Sequence, residues 1–202
     1  EGTKSYTTTP EAGGAFRIFN VAPGTYKAQA YSKGSNYTAL DVAVLTGAEV
    51  TGIAIKKSAV NTATMTGSVS LVAGANNAGT SVVMAIESTF IDALARGELV
   101  AGLRAPDSGA PTLTGSYSIG GIPDGKYVVL AAFENDGNVR DPDPNISGTQ
   151  VARVTVANGM ASASPSFKVT GAIELVSPGA GASIEELTGA PAFTWKPYSS
   201  AK

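Results

Sequence analysis

One stretch of this chain is written twice at a constant offset. Gly14, Phe16, Ile18, Val21, Gly24, Tyr26, Ala28 and Ala30 return 101 residues later as Gly115, Tyr117, Ile119, Ile122, Gly125, Tyr127, Val129 and Ala131. A single register holds at every position. A period of that size is a whole domain, far longer than the ~20–50 residues of a solenoid repeat, and it fits tandem β-sandwiches. The duplication therefore restricts the chain to a string of like modules. It directs attention to how modules are strung rather than to one catalytic pocket.

The residues around the repeated string alternate with the period of a strand. Phe16-Arg-Ile18 alternates, breaks at Ala22-Pro23-Gly24 and resumes at Tyr26-Lys-Ala28-Gln-Ala30. Proline presets φ at the first central turn position and glycine supplies positive φ at the second, so the spacing predicts a type II turn closing a hairpin or tight corner. Leu40 to Val44 and Val50 to Ile55 read as two further strands around a turn at Gly47, and the polar 56–64 reads as a linker. The second module opens with strands at 65–71 and 81–86, for which the first copy has no equivalent. Phe90, Ile91 and Leu94, at helical spacing between Ser88 and Gly97, predict a short helix. The loop 104–111 leads into the repeated strand pair, and strands at 151–156 and 166–169 follow around Asn158-Gly159. Matching Gly47 to Gly159 gives an offset of 112, so the second copy holds eleven more residues after its Tyr127 strand. From Gly171 the pattern changes: Ile173 to Val176 and Pro191 to Trp195 read as the first strands of a third sandwich, with Trp195 as its core plug.

The expected fold class is all-β, with tandem Greek-key, immunoglobulin-like β-sandwich modules. A partial module is expected at 1–58, a complete one at 64–170, and opening strands of a third at 171–202. Both ends are expected to be partial domains.

Composition narrows the chemistry. The chain has no cysteine and no histidine, which removes disulfides, thiolate and imidazole metal sites, and every Ser-His or Cys-His catalytic pair. Net charge is −2 with 15% charged residues, so no electrostatic footprint for nucleic acid or an anionic membrane exists. No apolar run reaches the roughly eighteen residues that span a bilayer. A cysteine-free surface rich in Thr, Ser, Asn and Gly suits a secreted or cell-surface bacterial protein better than a small eukaryotic ectodomain, which tends to be disulfide-stapled.

On the strings Phe16 to Tyr26 and Tyr117 to Tyr127, the chain resembles carboxypeptidase regulatory-like domains of the transthyretin-like or CNA-B-like superfamily. Both copies carry the Gly-x-Phe/Tyr-x-Ile element; the second carries Pro-x-Gly-x-Tyr and the first a relaxed form of it, Ala22-Pro23-Gly24-Thr25-Tyr26. The segment 171–198 resembles the opening of a fibronectin-type-III-like domain through its Ser-Pro and Phe-x-Trp. The resemblance implies spacers, stalks and adhesive units of large surface or secreted proteins. Some relatives form internal isopeptide bonds, for which Lys27, Lys56 or Lys126 would have to face an Asn beside a buried acid.

The candidate metal site is the acidic insertion. Glu134, Asp136, Asn138, Asp141, Asp143 and Asn145 place six side-chain oxygens within twelve residues, and Ca²⁺ collects six to eight oxygen ligands from such loops. The spacing is not that of an EF-hand, and Asn-Asp-Gly and Asp-Pro are also ordinary turn formers. Asp141 and Asp143 are separated by one proline on a loop with no aromatic cleft, a poor arrangement for glycosidase acids. Tyr26 and Tyr127 could recognise a ligand, but each follows a turn glycine on an alternating strand, which suits packing. Asn36-Tyr-Thr38 and Asn145-Ile-Ser147 match the glycosylation sequon.

The expected function is an extracellular structural or adhesive protein without enzymatic activity. It is a tandem β-sandwich stalk or filament subunit assembling head to tail, by donor-strand addition as one route, with partners that are further copies or other surface proteins. The alternative is a non-catalytic ligand- or carbohydrate-binding module of a larger secreted enzyme, with a glycan as partner.

Overall fold

The computed structural model describes residues 4–72, 74–134, 138–140, 151–172, 175–181 and 188–196. The protein is all-β. In chain order the strands are β1 Gly24–Ala28, β2 Leu40–Val44, β3 Ala63–Val72, β4 Thr80–Ile86, β5 Leu99–Ala105, β6 Gly115–Ile122, β7 Gly125–Phe133, β8 Asn138–Arg140, β9 Ala152–Ala157, β10 Met160–Ala161, β11 Phe167–Gly171, β12 Leu175–Ser177 and β13 Thr194–Trp195.

Strands β3 to β11 build two sheets, ordered β10-β9-β7-β4-β5 and β6-β3-β11-β8. Their inward residues form one core, because alternation sends every second side chain to the same face. Met65 and Val69 of β3, Tyr117 and Ile119 of β6 and Phe167 of β11 meet Val82 and Met84 of β4, Leu103 of β5, Tyr127 and Val129 of β7, and Val154 and Val156 of β9. Burying each such side chain contributes about 1.5–3 kcal/mol. The first and last strands of this body run parallel, Phe167 opposite Val69 and Thr170 opposite Val72.

The repeated string is an arch in the second copy. β6 ends in one sheet at Ile122 and β7 begins in the other at Gly125, with only Pro123 and Asp124 between. The Tyr127 hydroxyl closes the arch by donating to Pro123 O at 2.8 Å. The first copy makes the same bond at the same position, Tyr26 to Ala22 O at 2.7 Å. The turn itself differs from expectation: Gly24 has φ of 159°, close to extended, where a type II turn needs a value near +80°. The glycine acts as the first strand residue.

The duplication extends to strand register. β1 pairs β2 with Gly24 opposite Val44, Tyr26 opposite Val42 and Ala28 opposite Leu40. β7 pairs β9 with Gly125 opposite Val156, Tyr127 opposite Val154 and Val129 opposite Ala152. These are the same pairs at the two offsets of 101 and 112.

Four expectations are corrected. Phe16-Arg-Ile18 and Val50 to Ile55 form no strand in the first copy. Among the described residues nothing equivalent to β3 stands beside them to accept their hydrogen bonds. The helix expected over 88–97 is two single 3-10 turns, Glu87–Thr89 and Asp92–Leu94. Phe90 is extended and Ala95 is left-handed at φ 47°, each ending its turn, and Ser88 does not cap. The polar 56–64 is not a free linker, since Thr38 N–H donates to Lys56 O and Ser58 N–H to Asn36 O. Trp195 is 55% exposed and stacked on Phe193 rather than plugging a core, because among the described residues β12 and β13 form a two-stranded sheet with no second layer over it.

Candidate functional site at the joint between the two copies

The segment leaving β1 lies against the arch of the second copy. Tyr31 meets Tyr127 edge-on, ring centroids 5.9 Å apart at 76°, an orientation that sets the positive ring edge against the negative face. Gln29 Nε2 donates to Asp124 O at 2.7 Å, Gly34 N–H to Gly121 O at 2.7 Å, and Lys33 pairs with Asp107 at its rim. At the centre is Asn36, buried at 3% exposure.

Asn36 is used in both directions. Its Nδ2 donates to Val60 O at 3.2 Å and Asn61 O at 2.9 Å, and its Oδ1 accepts the backbone N–H of Asp124. The Asp124 carboxylate in turn accepts the N–H groups of Asn158 and Gly159, at 2.9 and 3.2 Å. One amide thus ties the first copy, the 58–61 segment and the arch of the second, and one carboxylate carries the tie to the turn after β9. The sequon reading of Asn36 does not survive: a side chain with both functions engaged and only 3% exposed leaves no room for a glycan. Asn145, of the second sequon, lies outside the described residues.

Two glycines are fitted to the docked segment. A Cβ on Gly125 would stand 2.7 Å from the Tyr31 ring, and one on Gly121 would stand 2.9 Å from Gly34 N. Gly121 has φ of 73°, and its counterpart in the first copy is Asn20, also left-handed at φ 57°. Asparagine tolerates that conformation. Glycine is required only where a neighbour sits on the arch.

Tyrosine electrostatics follow burial. Desolvation pushes the Tyr127, Tyr117 and Tyr31 phenols above their ordinary range, so all three are protonated fillers. Tyr26 packs edge-on against Tyr6, which accepts Ala22 N–H and is shifted the other way by that bond. Outside the joint, the outer face of β3, β6 and the 164–166 segment is a shallow depression of about 690 Å³ lined by serines and threonine, Thr66, Ser68, Ser116 and Ser166 among them, together with the buried Tyr117. It carries hydroxyls and no charged group.

Of the calcium candidates, Glu134 is described, its backbone N–H donating to Gly79 O. Asn138 opens β8, which pairs with β11 opposite Gly171, so this part of the segment is sheet edge rather than loop. Asp136, Asp141, Asp143 and Asn145 lie outside the described residues. Among the described residues no three carboxylates come together. Lys27, one of the isopeptide candidates, is paired with Asp41 across the β1–β2 ladder at 3.4 Å. Sequence reasoning missed Tyr31, Gln29 and Asp124 altogether. No known protein family, curated protein or solved structure matches the chain.

Proposed function

We propose that the protein is a structural element of an extracellular stalk, in which β-sandwich units follow one another head to tail with fixed relative orientation. The observation that supports it most is the joint around Asn36, where the first copy is held on the arch of the second by polar and aromatic contacts. A tether between independently acting modules needs no buried amide. The shared corner bond and pairing register support kinship with carboxypeptidase regulatory-like sandwiches, and the β12–β13 pair is compatible with the opening of a fibronectin-type-III-like unit. The role is mechanical and adhesive, outside the cell, without catalysis. The aromatic residue of the hydroxyl-lined depression, Tyr117, is 4% exposed, stacked on Phe167 and bonded through its hydroxyl to Pro165 O, so it offers no ring face to stack a sugar and carbohydrate binding is the weaker reading.

Backbone relaxation of the intact chain tests the reading. Amides of β1 and β2 and those of β4 and β7 are expected to report one common rotational correlation time. Two separate correlation times would mean that the copies tumble independently, and a rigid stalk would then be excluded.

A further inference from the structure

In the second copy β7 is paired on both edges, by β9 on one side and by β4 on the other, with Ile86 opposite Tyr127, Met84 opposite Val129 and Val82 opposite Ala131. In the first copy β1 is paired by β2 alone, and its other edge meets no strand among the described residues. The side chains around that edge tell the same story. Tyr117, Ile119, Ile122, Tyr127, Val154 and Val156 are between 0 and 4% exposed. Their counterparts Phe16, Ile18, Val21, Tyr26, Val42 and Val44 are nowhere fully buried, and Ile18 is 41% exposed. Phe19 beside them is 73% exposed. The first copy thus presents half of a core whose other half is known by example, since in the second copy Met65, Val69, Val82, Met84 and Leu103 of β3 to β5 complete it.

We propose that the free edge of β1 and the apolar residues around it are a strand-acceptor site. Its partner is a three-stranded unit with the chemistry of residues 63–105, delivering antiparallel to β1 an uncharged strand whose alternate residues are apolar, as Val82, Met84 and Ile86 are in β4. Main-chain bonds to the open edge supply affinity, and the alternate side chains entering the half core supply selectivity. The inference rests on the reading of the chain as one link in a head-to-tail series, and it names what the link receives. Short, unpartnered two-stranded sheets are marginal in water, so the site is the least stable part of the chain until it is filled.

The test fuses a second copy of residues 63–105 to the intact chain ahead of Lys4 through a flexible Gly/Ser linker, and reads hydrogen exchange at residues 24–28. The fusion is expected to slow exchange of the free-edge amides at least tenfold and to reduce binding of a hydrophobic dye. A control fusion with Val82→Ser, Met84→Ser and Ile86→Ser in the added unit only should do neither. Equal exchange in the two fusions overturns the proposal. So does protection of the same amides in the unmodified chain that is lost on dilution, because the occupant would then be another copy of this chain. Joint rigidity is read separately, by relaxation of the unmodified chain, so failure here and failure of the stalk reading are distinct results.

Discussion

Replacing Asn36 by alanine should undock the first copy without unfolding the second. The side chain makes three hydrogen bonds of 3.2 Å or less at 3% exposure, to Val60 O, Asn61 O and from Asp124 N, and a fourth to Asp124 Oδ1 that at 3.5 Å adds little. At about 1 kcal/mol net for each, and with buried partners left behind, the loss is about 3 kcal/mol. Since 1.4 kcal/mol is a factor of ten, the ratio of docked to undocked chains falls on the order of a hundredfold. The loss falls on the joint, because Asn36 is no part of the sandwich core. Two readouts follow that population: exchange of the Gly34 amide, which donates to Gly121 O, and tryptic cleavage after Lys56 or Lys57, the segment stitched to Asn36. Both should speed up by that factor, while amides of β4 and β7 stay protected. Asn36→Asp adds a sign. Its carboxylate would stand where Asn36 Nδ2 is 3.5 Å from Asp124 Oδ1, so like charge raises its folded pKa above the ordinary value of about 4. Docking should be strongest below about pH 4 and be lost as pH rises through the raised folded value. If Gly34 exchange in Asn36→Ala stays within threefold of the unaltered protein, the joint is not held by this residue and the reasoning is wrong.

Gly121→Asn restores what the first copy carries at Asn20, so the left-handed backbone is kept but a side chain is placed against Gly34; it should undock the first copy while the second keeps its melting temperature, seen by calorimetry alongside Gly34 exchange. Tyr127→Phe removes a fully buried hydroxyl bond and should cost about 1 kcal/mol in urea unfolding, whereas Tyr26→Phe, half-buried, should cost less because water replaces the lost partner. Tyr31, Tyr117 and Tyr127 have raised folded pKa values, so the stability they contribute is complete below about pH 10 and is lost above it by about 1.4 kcal/mol per pH unit for each; absorbance at alkaline pH should show them ionising only as the protein unfolds, and ordinary titration of all seven tyrosines in a folded protein would contradict their burial. Calcium held by the 134–145 segment should raise the melting temperature of the chelator-treated protein, and superimposable curves with and without it would remove the site.

The shared string carried the fold, and it carried it in detail. Eight matched positions set Tyr26 and Tyr127 at equivalent places after a turn glycine, and the change of offset from 101 to 112 sized the insertion; the register of β1 on β2 and of β7 on β9 came from the structure, which shows the two pairings to be equivalent at those offsets. What alternation alone could not convey was whether a strand has a partner. Phe16-Arg-Ile18 has the pattern of Tyr117-Ser-Ile119, yet only the second pairs with a β3 to its side. Phe90, Ile91 and Leu94 have helical spacing, but a segment that must return within a few residues to bring Glu98 O under Ile86 N–H closes as single turns. Tryptophan in a strand usually has a core to fill, and the two strands that hold Trp195 among the described residues do not provide one.

The joint escaped the sequence reading, which followed the agreement between the copies, because its signal lies in their departures. Where the first copy has Pro23 the second has Asp124, and where the first has Asn20 the second has Gly121. Neither change improves the arch itself, since both residues at the left-handed position satisfy its φ. Each makes sense only if something sits on the second arch: Asp124 offers a backbone N–H that proline lacks, and Gly121 clears the space that Asn20 fills. In a duplicated chain, a residue that differs at an equivalent position is set by its neighbours, and the neighbour here is the loop from Gln29 to Asn36 of the preceding copy.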